Sequence, residues 1–362
     1  MPFLNSFQAA VVPEQGSQHI VATRTLAPLE PGEVVIKITA TAVNPIDWKM
    51  RDWNYWLKEY PAVLGSDAAG EVVAVADDVK TLEEGDRVFF QGIIANYHSS
   101  TFQQYCKMPS RLFANTPSNI SDDQAAGISL ATVCGLTAFY DHTGLNLRPL
   151  PWAQDGNTAG EGKAVVIVGG SSSVGQYAIQ LARLSDFSKI VTNSSPNHQA
   201  HLLGLGATTV LDRSTESSPT HFSAALGETS LSFVFDTISI TETHMLAAKI
   251  VQSALNVEDA LVIRANLDDL NNAVQQQSQT GRLVSFKPIV GASSFPNLRP
   301  RNETAWERFG GDDGFIARGL FQPDPVTVVY GGLASVDGAL ELNKQGVSGT
   351  KIVIRPFETQ NE

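Results

Sequence analysis

The stretch VVIVGGSSSVGQ, residues 165–176, decides the fold. Val165–Val168 are β-branched and apolar and read as a buried strand. Two glycines and three serines follow, and VGQYAIQLARL (174–184) carries a helical pattern. Serine contributes little to a core, so three in succession point to a place where backbone must approach a ligand. A pyrophosphate needs converging N–H groups, a helix N-terminus aimed at it and no bulky side chain in the way. Gly169 and Gly170 permit the sharp exit, Ser171, Ser172 and Ser173 offer hydroxyl donors, and Gly175 lets the helix lie against the strand. The middle glycine of the G-x-G-x-x-G fingerprint is replaced by serine. The context supplies what the fingerprint lacks: a strand before, a helix after, and a second strand ending about 20 to 25 residues on. An ordinary small-residue turn is the alternative.

The end of that second strand addresses the choice of nucleotide. An acid there would hold a ribose 2′-hydroxyl and repel a 2′-phosphate. The residues are Thr192-Asn193-Ser194-Ser195-Pro196-Asn197-His198, with no acid. Hydroxyl and amide donors at Ser195 and Asn197, with charge from His198 or Arg213, favour NADPH.

Around this centre the chain divides. At 362 residues it is about twice a usual domain in length. Its first part is β-rich, with strands expected at 34–43, 68–79 and 85–93, and a helix over 121–144 capped by Ser121. A Pro/Gly-rich connection (145–163) precedes the strand–turn–helix rhythm, which continues through 189–195, 208–212, 233–238 and 259–266. Such strands separated by helices predict a parallel sheet covered on both faces. The tail, 331–356, adds one helix and a last strand.

Hydrophobic residues make up 43% of the chain and charged residues 17%, as in ordinary globular proteins. No apolar run approaches the roughly 18 residues that span a bilayer, and the first residues lack a secretory pattern. Two cysteines, Cys106 and Cys134, cannot build a disulfide framework, and a reducing, cytoplasmic setting is expected. A net charge of −12 argues against general nucleic-acid binding.

With the dinucleotide turn behind a β-rich half, the chain resembles the medium-chain dehydrogenase/reductase superfamily. The motifs are AVNPIDWKMR (42–51), PAVLGSDAAGEVVAV (61–75), GDRVF (85–89), CGLTA (134–138), GGSSSVG (169–175), LGLGATTVLD (203–212) and SGTKIVIR (348–355). The resemblance implies a GroES-like β domain, 1–127 and 315–362, and a Rossmann domain, 128–314, with the cofactor in a cleft between them. The zinc alcohol dehydrogenases of that superfamily carry a cysteine before the early Asp and a His-Glu pair where this chain has Ser66 and Asp67. Here the early position is Ile46, so no metal is expected. NPIDWKMR, SSPNH and SGTKIVIR look most like fungal trans-acting enoyl reductases, within the zinc-free quinone oxidoreductase and enoyl reductase branch.

That resemblance implies hydride transfer to the activated C=C bond of an α,β-unsaturated carbonyl: an enoyl thioester, enone or quinone. The negative charge that develops on the carbonyl oxygen needs a donor, and the α-carbon needs a proton. Ile46, Asp47, Trp48 and Lys49 are expected at the nicotinamide end, with Lys49 donating to ribose or substrate oxygen. Tyr55 is either a proton donor or a packing aromatic. Cys134 and Thr137 would face nicotinamide, beside Val133 at the substrate. Gly170–Val174 would take the pyrophosphate, Ser195, Asn197 and His198 the 2′-phosphate, and Arg213 the adenosine end. Arg264 and Ala265 would meet nicotinamide, Phe286, Lys287, Pro288, Ile289 and Val290 would line an acyl pocket, and Gly349 to Lys351 would close over the cofactor. Asp236 reads as structural, and His198 and His201 as surface groups. An acyl chain carried on a polyketide synthase would require a basic patch, expected from Arg51, Lys58, Arg299, Arg301 and Arg308. Two other readings stay open: an NAD(P)-dependent alcohol or carbonyl dehydrogenase, and a non-catalytic NADPH-binding protein. Monomer and homodimer are both compatible with the sequence.

Overall fold

A computed structural model describes residues 6–154, 156–265 and 269–360, which form two compact units. The first unit comprises 1–130 and 292–362, the second 131–291. The first opens with β1 (Phe7–Val12), β2 (Ile20–Arg24), β3 (Glu33–Ala42), helix α1 (Pro45–Trp53) and β4 (Ala62–Val63). It continues with β5 (Asp67–Val75), β6 (Arg87–Gln91), β7 (Tyr105–Pro109), β8 (Phe113–Asn115) and α2 (Asp122–Ala126). Helix α3 (Ser129–Tyr140) leads out of this unit.

The second unit alternates regularly: β9 (Lys163–Val168), α4 (Ser173–Leu184), β10 (Lys189–Ser194), α5 (Gln199–Leu205), β11 (Thr209–Asp212), α6 (Pro219–Leu226). Then come β12 (Ser230–Asp236), α7 (Thr241–Ser253), β13 (Leu261–Arg264), α8 (Asn272–Ser278) and β14 (Ser285–Pro288). Its six strands run β11-β10-β9-β12-β13-β14, every pair parallel. This is the doubly wound order, with its switch point between β9 and β12. The central strands β9, β12 and β13 are largely apolar because helices cover both faces; Ala164, Val166, Val234 and Val262 sit in one core with Phe222, Ala247 and Ile250. Asn266, at the end of the expected 259–266 strand, lies outside the described residues.

The chain returns to the first unit with α9 (Arg299–Phe309), β15 (Val326–Val328), α10 (Val336–Gln345) and β16 (Lys351–Ile354). The main sheet there runs β15-β16-β3-β5-β6-β8, with β7 also on β3, and β2-β1-β4 form a smaller sheet. Two expectations need correction. The single helix over 121–144 is two helices: a Cβ on Gly127, between α2 and α3, would meet Cγ of Lys351 at 2.9 Å. The return falls at Ala292, not at 315. The reason is Trp306, 1% exposed, whose indole meets the buried Phe89 of β6 edge-on at 5.8 Å. The strands β1, β2 and β4, absent from the sequence reading, are short or carry mixed patterns.

Trp306→Ala removes that anchor and should cost about 3–5 kcal/mol of unfolding free energy. Amide exchange should accelerate in β6 and β8 and stay unchanged in β9 and β10; acceleration confined to β9 and β10 would place α9 with the second unit instead.

Candidate functional site

The turn after β9 is built by close backbone approach. Gly169 has φ +85°, and its N–H donates to Oδ1 of Asn193 at 2.9 Å; the next amide, Gly170, donates to the Asn193 carbonyl at 3.1 Å. A Cβ at Gly170 would lie 2.2 Å from Oγ1 of Thr192, and one at Gly175 would lie 2.3 Å from the Gly169 carbonyl. The helix therefore packs directly on the strand end, as the glycines suggested. Ser172 caps α4: its Oγ accepts from Gly175 N–H at 3.0 Å. Thr237 Oγ1 donates to the Val168 carbonyl, so the Ser172 hydroxyl donates to Thr237 at 2.8 Å. The Ser172 hydroxyl thus serves the fold. Ser173 and Val174 occupy the first helical positions, whose N–H groups have no intrahelical acceptor.

Beside this turn, Ser195, Asn197 and His198 form a short 3₁₀ turn after β10, with Asn197 exposed. Arg213 is exposed after β11, and its N–H donates to Ser194 at 2.9 Å. Ser194 and Asp212 are partners in the parallel ladder, so these residues share one sheet end. Gln176, which the sequence reading passed over, donates to the Ser171 carbonyl at 3.2 Å, leaving its Oε1 to accept from Nε2 of His201 at 2.8 Å. His201 is thus no simple surface group, and burial lowers its pKa. Asn193 was the other omission; an amide inside an apolar strand was its signal.

At the end of β12, Asp236 accepts from Ser239 N–H, Ile238 N–H and the Thr243 hydroxyl. Burial pushes its carboxyl up to about 6 against these bonds and the charge of Arg264. Arg264 is itself buried, opposite Asp236 in the ladder, and Ala265 N–H donates to Ser239 Oγ. The structural reading of Asp236 agrees with this geometry.

Several expected ligand-facing residues point elsewhere. Thr137 is fully buried, its hydroxyl bonded to the Val133 carbonyl within α3 at 2.8 Å. Val133 is buried as well, and Cys134 Sγ lies against Gly291. The stretch 286–290 does not present one lining face. Phe286 packs into its unit's own core, edge-on to His244 at 5.9 Å, while Lys287 turns to the Gly144 carbonyl at 3.0 Å. Pro288 is exposed, Ile289 buried and Val290 half-buried.

In the first unit, Asp47 and Lys351 are interior groups, not open ones. Asp47 caps α1 by accepting from Asn44 N–H at 2.7 Å and accepts from the Ser66 hydroxyl at 2.7 Å. Lys351 Nζ donates to Asn44 Oδ1 at 2.6 Å and lies 3.4 Å from Asp67. Asp67 also accepts from Asn44 Nδ2 at 2.9 Å and from Leu130 N–H at 2.7 Å. A Lys at 351 with this burial cannot fold over a ligand; Gly349 and Thr350, half-buried, precede it. Burial pushes Asp47 up to about 7 and Asp67 to about 6, each against its hydrogen bonds and Lys351.

Lys49 is open by comparison. Its ammonium rests 5.8 Å from the Trp48 ring and 5.7 Å from Trp53, and it has no ion pair among the described residues. Tyr55 stacks on Trp56 at 4.8 Å and, with Ile46 and Trp48, packs partly on the core under α1. The expected basic patch does not assemble around Arg51, which is buried and bound by Asp52, Asp337 and Glu341. Arg299 is taken by Glu303 at 2.6 Å. Among the described residues no three His, Cys, Asp or Glu side chains converge as a metal site requires, and no helix is long and apolar enough to cross a membrane.

The alcohol dehydrogenase GroES-like domain family matches residues 30–120. The trans-enoyl reductase himH of Aspergillus japonicus is 31% identical over 330 residues, covering 89% of each chain. The chain belongs to the medium-chain dehydrogenase/reductase superfamily. The trans-enoyl reductase tndF of Aspergillus flavipes is 30% identical over 96% of this chain and 98% of its own. The fold is shared with a putative zinc-dependent alcohol dehydrogenase of Rhizobium etli, at TM-score 0.75 and 24% identity over 97% of this chain and 98% of that one. The resemblance read from the motifs and the two-domain fold class thus both stand. This medium-chain dehydrogenase/reductase is an oxidoreductase, and members of the superfamily bind a nicotinamide cofactor. Gly169 and Gly170 carry no side chain to obstruct a diphosphate, and the amides of Ser173 and Val174, at the start of α4, fit its charge.

The buried carboxyls fix a pH dependence. Their raised values mean that the folded chain holds protons the unfolded chain has released. Their contribution is full below about pH 4, the ordinary carboxyl range, and is lost as pH rises toward 7. Asp47→Asn should therefore flatten the decline of the unfolding midpoint between about pH 4 and 7, read by thermal melts across that range.

Proposed function

We propose that the protein is an NADPH-dependent, zinc-independent reductase of the activated C=C bond of an α,β-unsaturated carbonyl. The observation that carries this reading is the strand-end site at 169–175 and 193–198, where hydroxyl and amide groups stand without a carboxylate at the end of β10. NADPH, when bound, supplies hydride. Gly170, Ser171, Ser173 and Val174 would hold the diphosphate, Ser195, Asn197 and His198 the 2′-phosphate, and the exposed Arg213 the adenosine end. Arg264 and Ala265 belong to the nicotinamide end by their strand position.

On the α1 side, Lys49 is the group available to donate to an oxygen that gains negative charge, because no carboxylate neutralises it. Its perch on Trp48 and Trp53 holds the ammonium in place without spending its protons. Tyr55 is the candidate proton source, with Trp56 fixing its ring plane. Zinc independence draws support from Lys351: an ammonium 3.4 Å from Asp67 opposes a second cation there, and Ser66 gives its hydroxyl to Asp47. The trans-enoyl reductase names among the relatives support the unsaturated substrate, free or carrier-bound. Val133, Ile289 and Val290 remain candidate substrate contacts.

The test is cofactor consumption by purified protein across enones, quinones and enoyl thioesters, with NADH as control. NADPH oxidation should exceed NADH oxidation by about tenfold or more and survive a chelator. Asn197→Ala should raise the KM for NADPH severalfold and leave that for NADH unchanged. No turnover with any unsaturated carbonyl, or activity restored only by zinc, overturns the reading.

A further inference from the structure

Lys49 has an acid one helical turn ahead of it on α1 and does not pair with it. Residues at i and i+3 of a helix are neighbours, so Asp52 is the carboxylate that Lys49 would meet first. That carboxylate is already engaged. Its Oδ1 accepts from Arg51 Nε at 2.7 Å, and its Oδ2 accepts from Lys344 Nζ at 2.6 Å. Asp337, Glu341 and Lys344 recur at helical spacing on one face of α10. The two acids hold Arg51: its Nη1 donates to Asp337 at 2.8 Å and its Nη2 to Glu341 at 2.7 Å. The Lys344 ammonium also rests 5.5 Å from the centre of the Trp48 ring, which Lys49 approaches to 5.8 Å. Two ammonium groups thus share one indole, and among the described residues only that of Lys344 has a carboxylate. Burial raises the Asp52 carboxyl, but the bonds from Arg51 and Lys344 outweigh it and hold the group below the ordinary carboxylate range. All of these residues belong to the first unit.

We propose that Lys344, by occupying Oδ2 of Asp52, keeps Lys49 unpaired and available to a ligand oxygen, and that Lys344 is therefore a positioning residue for Lys49. This rests on the reductase reading, in which Lys49 donates to the oxygen that gains charge. Two effects act together. The Lys344 ammonium fills the acceptor that Lys49 could take, and its charge beside the same ring opposes a swing of Lys49 toward Asp52. Without Lys344 that oxygen stands open one turn from Lys49, while Arg51 Nε still fixes the carboxylate through Oδ1. Ion pairs in such partly exposed places are weak, so the loss of Lys344 captures Lys49 in part and not completely.

The test uses the full chain and a double-mutant cycle of Lys344→Met and Asp52→Asn, with Lys344→Arg as the conservative variant. Methionine keeps an apolar stem against Trp48 and removes the charge. Two readouts are taken: the rate at which trace acetic anhydride labels Lys49, read by mass spectrometry without nucleotide, and kcat/KM for an enone at saturating NADPH. Lys344→Met should slow the labelling and lower kcat/KM, each by about threefold, with the KM for nucleotide unchanged. Lys344→Arg should match the wild type. Adding Asp52→Asn should return both values to those of Asp52→Asn alone, a rescue that a merely structural role of Lys344 would not show. Labelling unchanged or faster in Lys344→Met, a double variant no better than Lys344→Met, or slowed labelling with kcat/KM intact would overturn the proposal. If the wild-type chain turns over no unsaturated carbonyl, the reductase reading fails by itself. The labelling cycle then decides whether Lys344 keeps Lys49 unpaired, and a Lys49 as reactive in Lys344→Met as in the wild type refutes it.

Discussion

The contact on which this architecture rests is the approach of helix α4 to the end of strand β9. With no Cβ at Gly170 or Gly175, backbone lies where a side chain would otherwise stand. That proximity lets Asn193, on the neighbouring strand, reach across and bind two successive turn amides. It also brings Ser172 to Thr237 of the strand on the other side. The turn is thus stitched to both neighbours in the sheet before any ligand arrives. A diphosphate would meet the first amides of α4 on a turn already ordered by these bonds.

The first unit solves a different problem, that of burying charge. Asp47, Asp67 and Lys351 carry two carboxyls and one ammonium into an interior with almost no solvent. Removing such groups from water is costly, and one ion pair seldom repays it. Here Asn44 bridges all three, accepting from Lys351 and donating to Asp67 and Asp47, and Ser66 and Leu130 supply further donors. The raised values of both carboxyls record the remaining imbalance. The network ties the start of α1, the start of α3 and strand β16 to β5, elements far apart in sequence.

Much of the second unit was legible because its code is local. A β-branched strand, two glycines, capping serines and a helical pattern lie within 20 residues, and each specifies the same conformation. The parallel sheet followed from repeating that unit. The first unit was less legible where residues meet across long sequence distances. Asp47 and Lys351 look like ligand groups in a linear motif, since a charged residue beside glycine or tryptophan gives no sign that Asn44 and Asp67 will enclose it. Phe286 misled for the same reason: an aromatic in a short exposed-looking strand gives no hint that His244, 42 positions earlier, provides its packing surface. Trp306 shows the converse. Its helix is polar by composition, yet one indole against Phe89 assigns the whole segment to the first unit.

Ser66 and Asp67 join these strands of argument. They occupy positions where zinc-bearing relatives in the superfamily place imidazole and carboxylate for a metal. Here both side chains are turned to the protein's own groups, and Asp67 meets three of them at once. Its Oδ1 receives the Leu130 amide at the start of α3, while its Oδ2 meets Asn44 and Lys351. A carboxylate facing a helix N-terminus is stabilised by the unpaired amides there, and the helix gains an acceptor for one of them. The position that could have polarised a substrate has become an internal cap for the helix through which the chain leaves its first unit. On α1, Lys49 stands outside this network and has no carboxylate partner among the described residues; its ammonium rests near the rings of Trp48 and Trp53.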